Sequence, residues 1–359
     1  MLEHGGRLGR AAREYGIPRE AWLDLSTGVS PYAWPVPPVP PSAWHRLPED
    51  DDGLLETARA YYGSHHLLPV AGSQAAIAAL PRLRPPSRVA IVDPGYAEHA
   101  HAWRRAGHDV TTMPMDDLLV RANEFDVVVL IRPNNPTGGC PEIEAVSTLH
   151  ALIDPVGAAM TARDPLSAEA SRPDSLAAMA APTRAVRYDG PWLVVDEAFI
   201  DAHPERSLAP YASEGLVILR SVGKFFGLAG ARAGFVVAWP ELLDALAEAL
   251  GPWTLTGPTR YVVAQAFADR AWHASAREWL RVASSRLAAL LTKHGLPPSG
   301  GCEFFQYCVH PAARALHRAL AERAILVRHF DTPQALRFGL PGDEDGFARL
   351  DDALARVLA

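Results

Sequence analysis

The sequence predicts an α/β fold, with a mixed, mostly parallel central sheet sandwiched by helices and a smaller α+β domain after it. Three observations carry this expectation. Five short apolar runs, "RVAIVD", "DVVVLI", "WLVVDEAF", "LVILRS" and "AGFVVAW", are continuous rather than alternating, which suits strands buried on both faces. Segments with helical periodicity, "LLETARAYYG", "SQAAIAALPRL" and "YAEHAHAWRRAG", precede or separate them, as parallel strands require of their crossovers. The end of the chain changes character: a long helical stretch over residues 259–295 leads into the strand-like "EFFQYCVH", "ILVRHF" and "ALRFGL".

In chain order, the opening "MLEHGGRLGRAAREYG" has charges where a secretion signal needs an apolar run, and no stretch reaches the length of a membrane span. The expectation is a protein neither exported by that route nor embedded. Residues 31–48, "PYAWPVPPVPPSAWHRLP", carry enough prolines to exclude regular helix and interior strand, leaving an extended connector. The chain therefore divides into an arm and connector over 1–48, expected to pack with the small domain, a large domain over 49–250 and a small α+β domain over 251–359. Within the large domain, residues 151–190 are rich in Ala, Pro, Ser and Asp with weak periodicity, and read as a crossover helix carrying a surface insertion.

Bulk properties narrow the function. A chain of 359 residues with 48% hydrophobic content can build a substantial core. A formal charge of −7 and a pI near 6.1 provide no basic field, so neither nucleic acid nor membrane is expected as a partner, and small-molecule chemistry is favoured. Cys140, Cys302 and Cys308 are an odd number without metal-type spacing, which suits a reducing compartment, the cytoplasm, and gives no metal site.

Ligands of α/β sheets gather at the carboxyl ends of strands, so the polar residues that end each apolar run are the candidates. Asp196 closes "WLVVD", where a carboxylate needs a cation or donor opposite it; a helix cap or an internal ion pair is the plain alternative. Asn135, in "RPNNPTGG", sits at the same sheet edge, in a turn that also reads as loop punctuation. Gly72, Ser73 and Gln74 open a helix whose free N–H groups suit a phosphate, although serine also caps helices without function. Tyr96 follows another strand-ending turn and offers a stacking face, or ordinary packing. In "RSVGKFFGLAGARAGF", Lys224 is a single amine between glycine-bearing turns, with Arg232 eight positions on. A planar phosphorylated aldehyde needs an amine to bond its carbonyl carbon, an acid for its ring nitrogen, a donor for its ring oxygen, a stacking ring and a phosphate cradle. Lys224, Asp196, Asn135, Tyr96, and Ser73 with Arg232 supply these in turn, and pyridoxal 5'-phosphate is the cofactor that matches. Arg232 suits the phosphate because guanidinium is permanently charged and forked, and its charge together with burial would depress the Lys224 pKa.

The blocks "GSQ", "PGYAEH", "RPNNPTG", "VVDEAF", "SVGKFFGLAGARAGF" and "LRFGLP" occur in the order of the fold-type I, class I/II aminotransferase superfamily of pyridoxal-phosphate enzymes, which the chain resembles over nearly its full length. The resemblance implies the aminotransferase fold and a homodimer with active sites near the subunit boundary. It makes Lys224 the lysine that bonds the cofactor, Asp196 the partner of the ring nitrogen, Asn135 a donor to the ring oxygen and Tyr96 the stacking ring. It also implies that His99 supports Asp196 and that Arg337 grips a substrate α-carboxylate. Two branches are nearest: histidinol-phosphate aminotransferases and the L-threonine O-3-phosphate decarboxylases of cobalamin biosynthesis. Phe199 stands where the aminotransferase branch has a tyrosine, Leu47 replaces a tyrosine that reaches the partner subunit's cofactor phosphate, and Gly223 replaces a serine, leaving Ser221 as the hydroxyl for the phosphate. "EHGGRLGRAAREYG", "DEAFID" and "ILVRHFDTPQALRFGLPGDED" look like the decarboxylase branch. That branch implies decarboxylation of a phosphorylated amino acid to (R)-1-amino-2-propanol O-2-phosphate. Fixing the rotamer of such a substrate needs a second anchor beside Arg337. His4 with the Gly5 and Gly6 amides, Arg132 and Arg328 are the candidates, against a disordered terminus for His4 and internal ion pairs for the two arginines.

Overall fold

The computed structural model describes residues 5–153 and 188–358. His4 and most of the expected insertion over 151–190 lie outside the described residues. In chain order the strands are β1 (Leu23–Asp24), β2 (Leu67–Val70), β3 (Arg88–Val92), β4 (Asp109–Met113), β5 (Val127–Ile131), β6 (Trp192–Asp196), β7 (Leu216–Ser221), β8 (Gly234–Val237), β9 (Gly300–Cys302), β10 (Phe305–Val309), β11 (Ile325–Leu326), β12 (Arg328–Asp331) and β13 (Gln334–Gly339).

A seven-stranded sheet runs in the order β2-β8-β7-β6-β5-β3-β4. The strands from β7 through β4 are parallel, and β8 alone is antiparallel to its neighbours on both sides. The five apolar runs become β3, β5, β6, β7 and β8, and β5 to β8 are buried throughout. Alternate side chains enter two separate cores: Val127, Val129, Trp192, Val194, Val217 and Leu219 on one face, Val128, Leu130, Leu193, Val195, Leu216 and Ile218 on the other. This parity decides below which polar residues reach the site.

The two edge strands are absent from the sequence-based expectation. β2 contains Pro69, which an edge tolerates because its missing donor costs the ladder nothing there. β4 is largely polar and exposed along Asp109–Thr112, so it lacks the apolar run that marks its neighbours. The proline-rich connector is not wholly extended: Ser42–His45 makes one helical turn directly after Pro40 and Pro41, a correction to the reading of 31–48. Proline belongs at the start of a helix, where an N–H would be unpaired in any case.

The helical stretch at 259–295 is two helices, Gly257–Ala268 and Arg270–Lys293. Asp269 between them caps the second by accepting the Trp272 N–H. The first helix packs on Leu54–Tyr62 and the second on β10 of a four-stranded antiparallel sheet, β12-β13-β10-β9. β1 pairs in parallel with β11, and Leu25 is tied on both sides, its N–H to Leu326 and its carbonyl to Gly339. No helix among the described residues is long and apolar enough to cross a membrane.

Candidate active site

Three adjacent parallel strands deliver the central residues. β5, β6 and β7 end at Ile131, Asp196 and Ser221, and the turns that follow hold Asn135 and Lys224. Gly72, Ser73, Gln74, Tyr96, Asn135, Asp196, Phe199, Ser221, Lys224 and Arg232 all line one cleft. Trp192, Val194, Val217 and Leu219 share a core face, so two-residue alternation puts Asp196 and Ser221 on that face as well.

Asp196 is 3% exposed and fully engaged: one carboxylate oxygen lies 2.9 Å from His99 Nε2, and the other accepts the Ala198 N–H at 3.0 Å. His99 is itself buried on the helix Glu98–Arg105. These contacts orient the carboxylate while leaving it an acceptor at the cleft. Lys224 is half-buried, its Nζ 5.4 Å above the Phe199 ring. Burial first, then the charge of Arg337, push its pKa down to about 8; Asp196 opposes that shift and Arg232 adds to it. An amine near 8 is partly neutral at physiological pH and so available as a nucleophile.

Gly72 takes a left-handed φ of 74° before the helix Ser73–Ala79, and a Cβ on it would stand 2.7 Å from Arg232 Nη2. Only glycine lets the guanidinium lie against this turn. Arg232 also has a positive φ, 52°, uncommon for a side-chain-bearing residue and consistent with a backbone set by the site. With the Ser221 hydroxyl and the first N–H groups of the helix, these residues form a concave donor set suited to a phosphate.

Tyr96 donates its hydroxyl to Gln74 Oε1 at 3.0 Å, and Gln74 donates to Glu98 at 3.2 Å. The Gln74 side chain thus fixes the ring that the sequence marks for stacking. Burial, then Glu98 and Asp196, push the Tyr96 phenol up to about 12, so it stays neutral. Arg337 is buried, donates to Asn135 Oδ1 and, at 2.9 Å, to the Ser26 carbonyl, and lies 5.0 Å over the Phe305 ring. Burial, then the charge of Arg328, lower its pKa to about 10. Its Nε is buried without a partner among the described residues.

Arg328 is the cross-strand neighbour of Arg337. It lines a second, basic cavity with Gly5, Arg7, Ser26 and His317. Gly6 N–H donates to Ser26 Oγ at 2.8 Å, and Gly5 packs so closely on the Ser26 carbonyl that a Cβ would stand 2.1 Å from it. Gly5 and Gly6 therefore reach Arg337 through one shared residue, Ser26. Arg132 does not join them. It is fully buried behind the sheet, bonded to the carbonyls of Pro141 and Arg206 and paired with Glu197 at 3.4 Å, the internal ion pair that was its plain alternative. Its parity explains this: Val128 and Leu130 face the other core, and residue 132 follows them.

The residues present fit pyridoxal phosphate: a depressed amine, a carboxylate held as an acceptor, a neutral aromatic ring and a donor-rich cradle meet in one cleft. The model of the family described as aminotransferase class I and II matches residues 47–158 and 175–354. The chain belongs to that family. Among proteins of known activity it is similar to the threonine-phosphate decarboxylase of Pseudomonas aeruginosa, 48% identical over 99% of this chain and 97% of that one. A threonine-phosphate decarboxylase of a Sinorhizobium species is 40% identical over 99% and 98%. The fold matches the crystal structure of histidinol-phosphate aminotransferase from Sinorhizobium meliloti in complex with pyridoxal-5'-phosphate, with a TM-score of 0.76 at 18% identity, covering 99% of this chain and 95% of that one. This class I and II family member has fold-type I architecture and is pyridoxal-phosphate dependent.

Ser26 and Phe305 escaped the sequence reading. Ser26 and Phe305 contact Arg337 across long sequence separations that no local pattern encodes, whereas Gln74 was named for its backbone and acts through its side chain as well.

Proposed function

We propose that this chain decarboxylates L-threonine O-3-phosphate, releasing carbon dioxide and (R)-1-amino-2-propanol O-2-phosphate, the reaction that cobalamin biosynthesis requires. The near full-length likeness to threonine-phosphate decarboxylases carries this reading. The charges around the cleft support it. Lys224, Arg232, Arg337 and Arg328 outnumber Asp196, which suits a cofactor phosphate together with a substrate carboxylate and phosphate.

Lys224, once neutral, would hold the cofactor through its amine, and when the substrate displaces it that amine would take up the proton of the substrate ammonium and deliver it to the α-carbon. Asp196, oriented by His99 and the Ala198 N–H, keeps the cofactor's ring nitrogen protonated. Asn135 donates toward the ring oxygen, its amide orientation set by Arg337. Tyr96 stacks on the ring; Gly72, Ser73, Gln74, Ser221 and Arg232 hold the cofactor phosphate. Arg337 grips the α-carboxylate, and His4, Gly5, Gly6 and Arg328 take the substrate phosphate, so that two anchors fix one rotamer. Bound pyridoxal phosphate supplies the electron sink for the pair left on the α-carbon when carbon dioxide departs.

The working unit in this reading is a cytoplasmic homodimer, each protomer divided into arm (1–48), large (49–250) and small (251–359) domains. Trp44, Leu47 and Trp253 are 67%, 63% and 58% exposed on neighbouring turns, joined where Gly257 packs on Ala43. An apolar patch of this kind suits a second copy. Light scattering of Trp44→Glu/Leu47→Glu should report a monomer where the parent chain is a dimer. For the reaction, the purified protein with L-threonine O-3-phosphate should release carbon dioxide without 2-oxoglutarate. Glutamate formed from 2-oxoglutarate and histidinol phosphate, with no carbon dioxide release, overturns the assignment.

A further inference from the structure

Lys224, in the helical turn Val222–Phe225 after β7, and Arg337, on β13, are separated by two aromatic rings in contact. Lys224 Nζ lies 5.4 Å over Phe199, Phe199 meets Phe305 edge to face at 5.2 Å and 86°, and Arg337 lies 5.0 Å over Phe305. Each cationic group rests on one ring, and the rings brace each other. Phe199 and Phe305 are both buried, Phe304 packs on Phe199 at 5.5 Å, and the open side of the Phe199 ring is the cleft itself.

Gly28 closes the gap between the two rings. A Cβ on it would stand 2.8 Å from Phe199 Cε1, 3.0 Å from Phe199 Cζ and 3.1 Å from Phe305 Cδ1. Its φ is not left-handed, so the backbone conformation does not call for glycine; the two ring edges do. The chain around Gly28 is pinned at both ends, by the Ser26 carbonyl on Arg337 and by the Ser30 N–H on the Lys224 carbonyl at 2.9 Å. This segment, the two rings and the two cations therefore form one contiguous chain of contacts.

We propose that Gly28, Phe199 and Phe305 are a spacer that fixes the separation of Lys224 and Arg337, and that this separation selects α-amino acids over their β-amino isomers. The inference rests on the reading of Arg337 as the carboxylate grip. In an α-amino acid the carboxylate is attached to the carbon that carries the nitrogen; in a β-amino acid one more carbon intervenes. A fixed distance from the amine-bearing carbon to the guanidinium accepts the first and misplaces the second. Phe199 and Phe305 act here as positioning residues, through the cations they support.

The test uses the cofactor-loaded protein and the absorbance change of its bound cofactor on titration with L-2-aminobutyrate or 3-aminobutyrate, which needs no turnover. The parent chain should bind the α isomer at least about tenfold more tightly, the scale a single methylene sets in a fitted pocket. Phe305→Leu should narrow the ratio to below about threefold while leaving cofactor affinity unchanged. Gly28→Ala should weaken the cofactor about tenfold by driving Phe199 into the cleft, and Gly28→Ala/Phe199→Leu should recover most of that loss. An undiminished isomer ratio in Phe305→Leu overturns the proposal, and so does a double variant no better than Gly28→Ala. If Gly28→Ala does not fold, the Phe305→Leu ratio decides alone. A parent chain that discriminates between the isomers yet releases no carbon dioxide from L-threonine O-3-phosphate would refute the decarboxylase reading and leave the spacer standing.

Discussion

Two clusters of charge sit on opposite faces of the same three strand ends, and they differ in balance. Behind the sheet, Arg132 and Arg220 face Glu197 and Asp201, two cations against two anions. Arg220 bonds Ser207 Oγ at 2.6 Å and Asp201 at 2.7 Å, and Glu197 accepts from Ser207 at 2.6 Å and from the Leu208 N–H at 2.9 Å. All four charged side chains are at most 2% exposed. Burial alone would work against the Arg220 charge, but Asp201 and Glu197 outweigh it and raise its pKa. In front of the sheet, Lys224 feels the charges of Arg337, Asp196 and Arg232, Asp196 is the one carboxylate lining the cleft among the described residues, and both Lys224 and Arg337 have depressed pKa values. A closed, balanced cluster holds strand ends together; an open cluster with surplus positive charge is arranged for anions it does not itself contain.

The contrast can be broken from either side. Lys224→Ala should abolish turnover, on the order of 10⁴-fold, together with the visible absorbance of bound cofactor, while the urea unfolding midpoint changes little. Glu197→Gln should do the reverse: it leaves two buried guanidinium groups with one anion, costing about 3–5 kcal/mol in urea unfolding, while cofactor affinity is kept. Arg337→Lys keeps the charge and loses the fork, and should raise KM for the substrate about 100-fold with a smaller change in kcat, measured by carbon dioxide release. Loss of cofactor absorbance in Glu197→Gln at full folding would show that the two clusters are not independent.

The smallest effect sharpens the electrostatics. The Lys224 pKa in the folded chain, about 8, lies below its ordinary 10.5, so the folded state binds fewer protons than the unfolded one between these values. Stability therefore gains from this group as pH rises from about 8 to 10.5, and loses that gain on return to neutrality. The rate of pyridoxal phosphate uptake, followed by absorbance, should rise about tenfold per pH unit below a midpoint near 8 and flatten above it. Arg337→Met should move that midpoint upward, because the charge of Arg337 is one cause of the depression.

Much of this was legible in the chain because strands buried on both faces write themselves as continuous apolar runs, and the residues that end β5, β6 and β7 are the ones that line the cleft. Parity was legible too: Asp196 and Glu197 are neighbours, as are Ser221 and Arg220, so alternation alone sends one of each pair to the cleft and the other behind the sheet. Applied to residue 132, it would have removed Arg132 from the substrate candidates. β4 was hidden because solvent replaces its apolar run with Thr111 and Thr112, and β2, although mostly buried, because it is only four residues long and Pro69 reads as a break. The Ser26 and Gly28 contacts were hidden for a different reason: they join the beginning of the chain to residues 305 and 337, and nothing local records a partner so distant.

That last connection bears on how the molecule is made. Leu25 bonds to Leu326 and Gly339, and Ser26 holds Arg337 across 311 positions of sequence. During synthesis Ser26 emerges 311 positions ahead of Arg337 and waits that long for this partner. The Ser26–Arg337 contact therefore forms only after the whole large sheet, β2 to β8, has been synthesised.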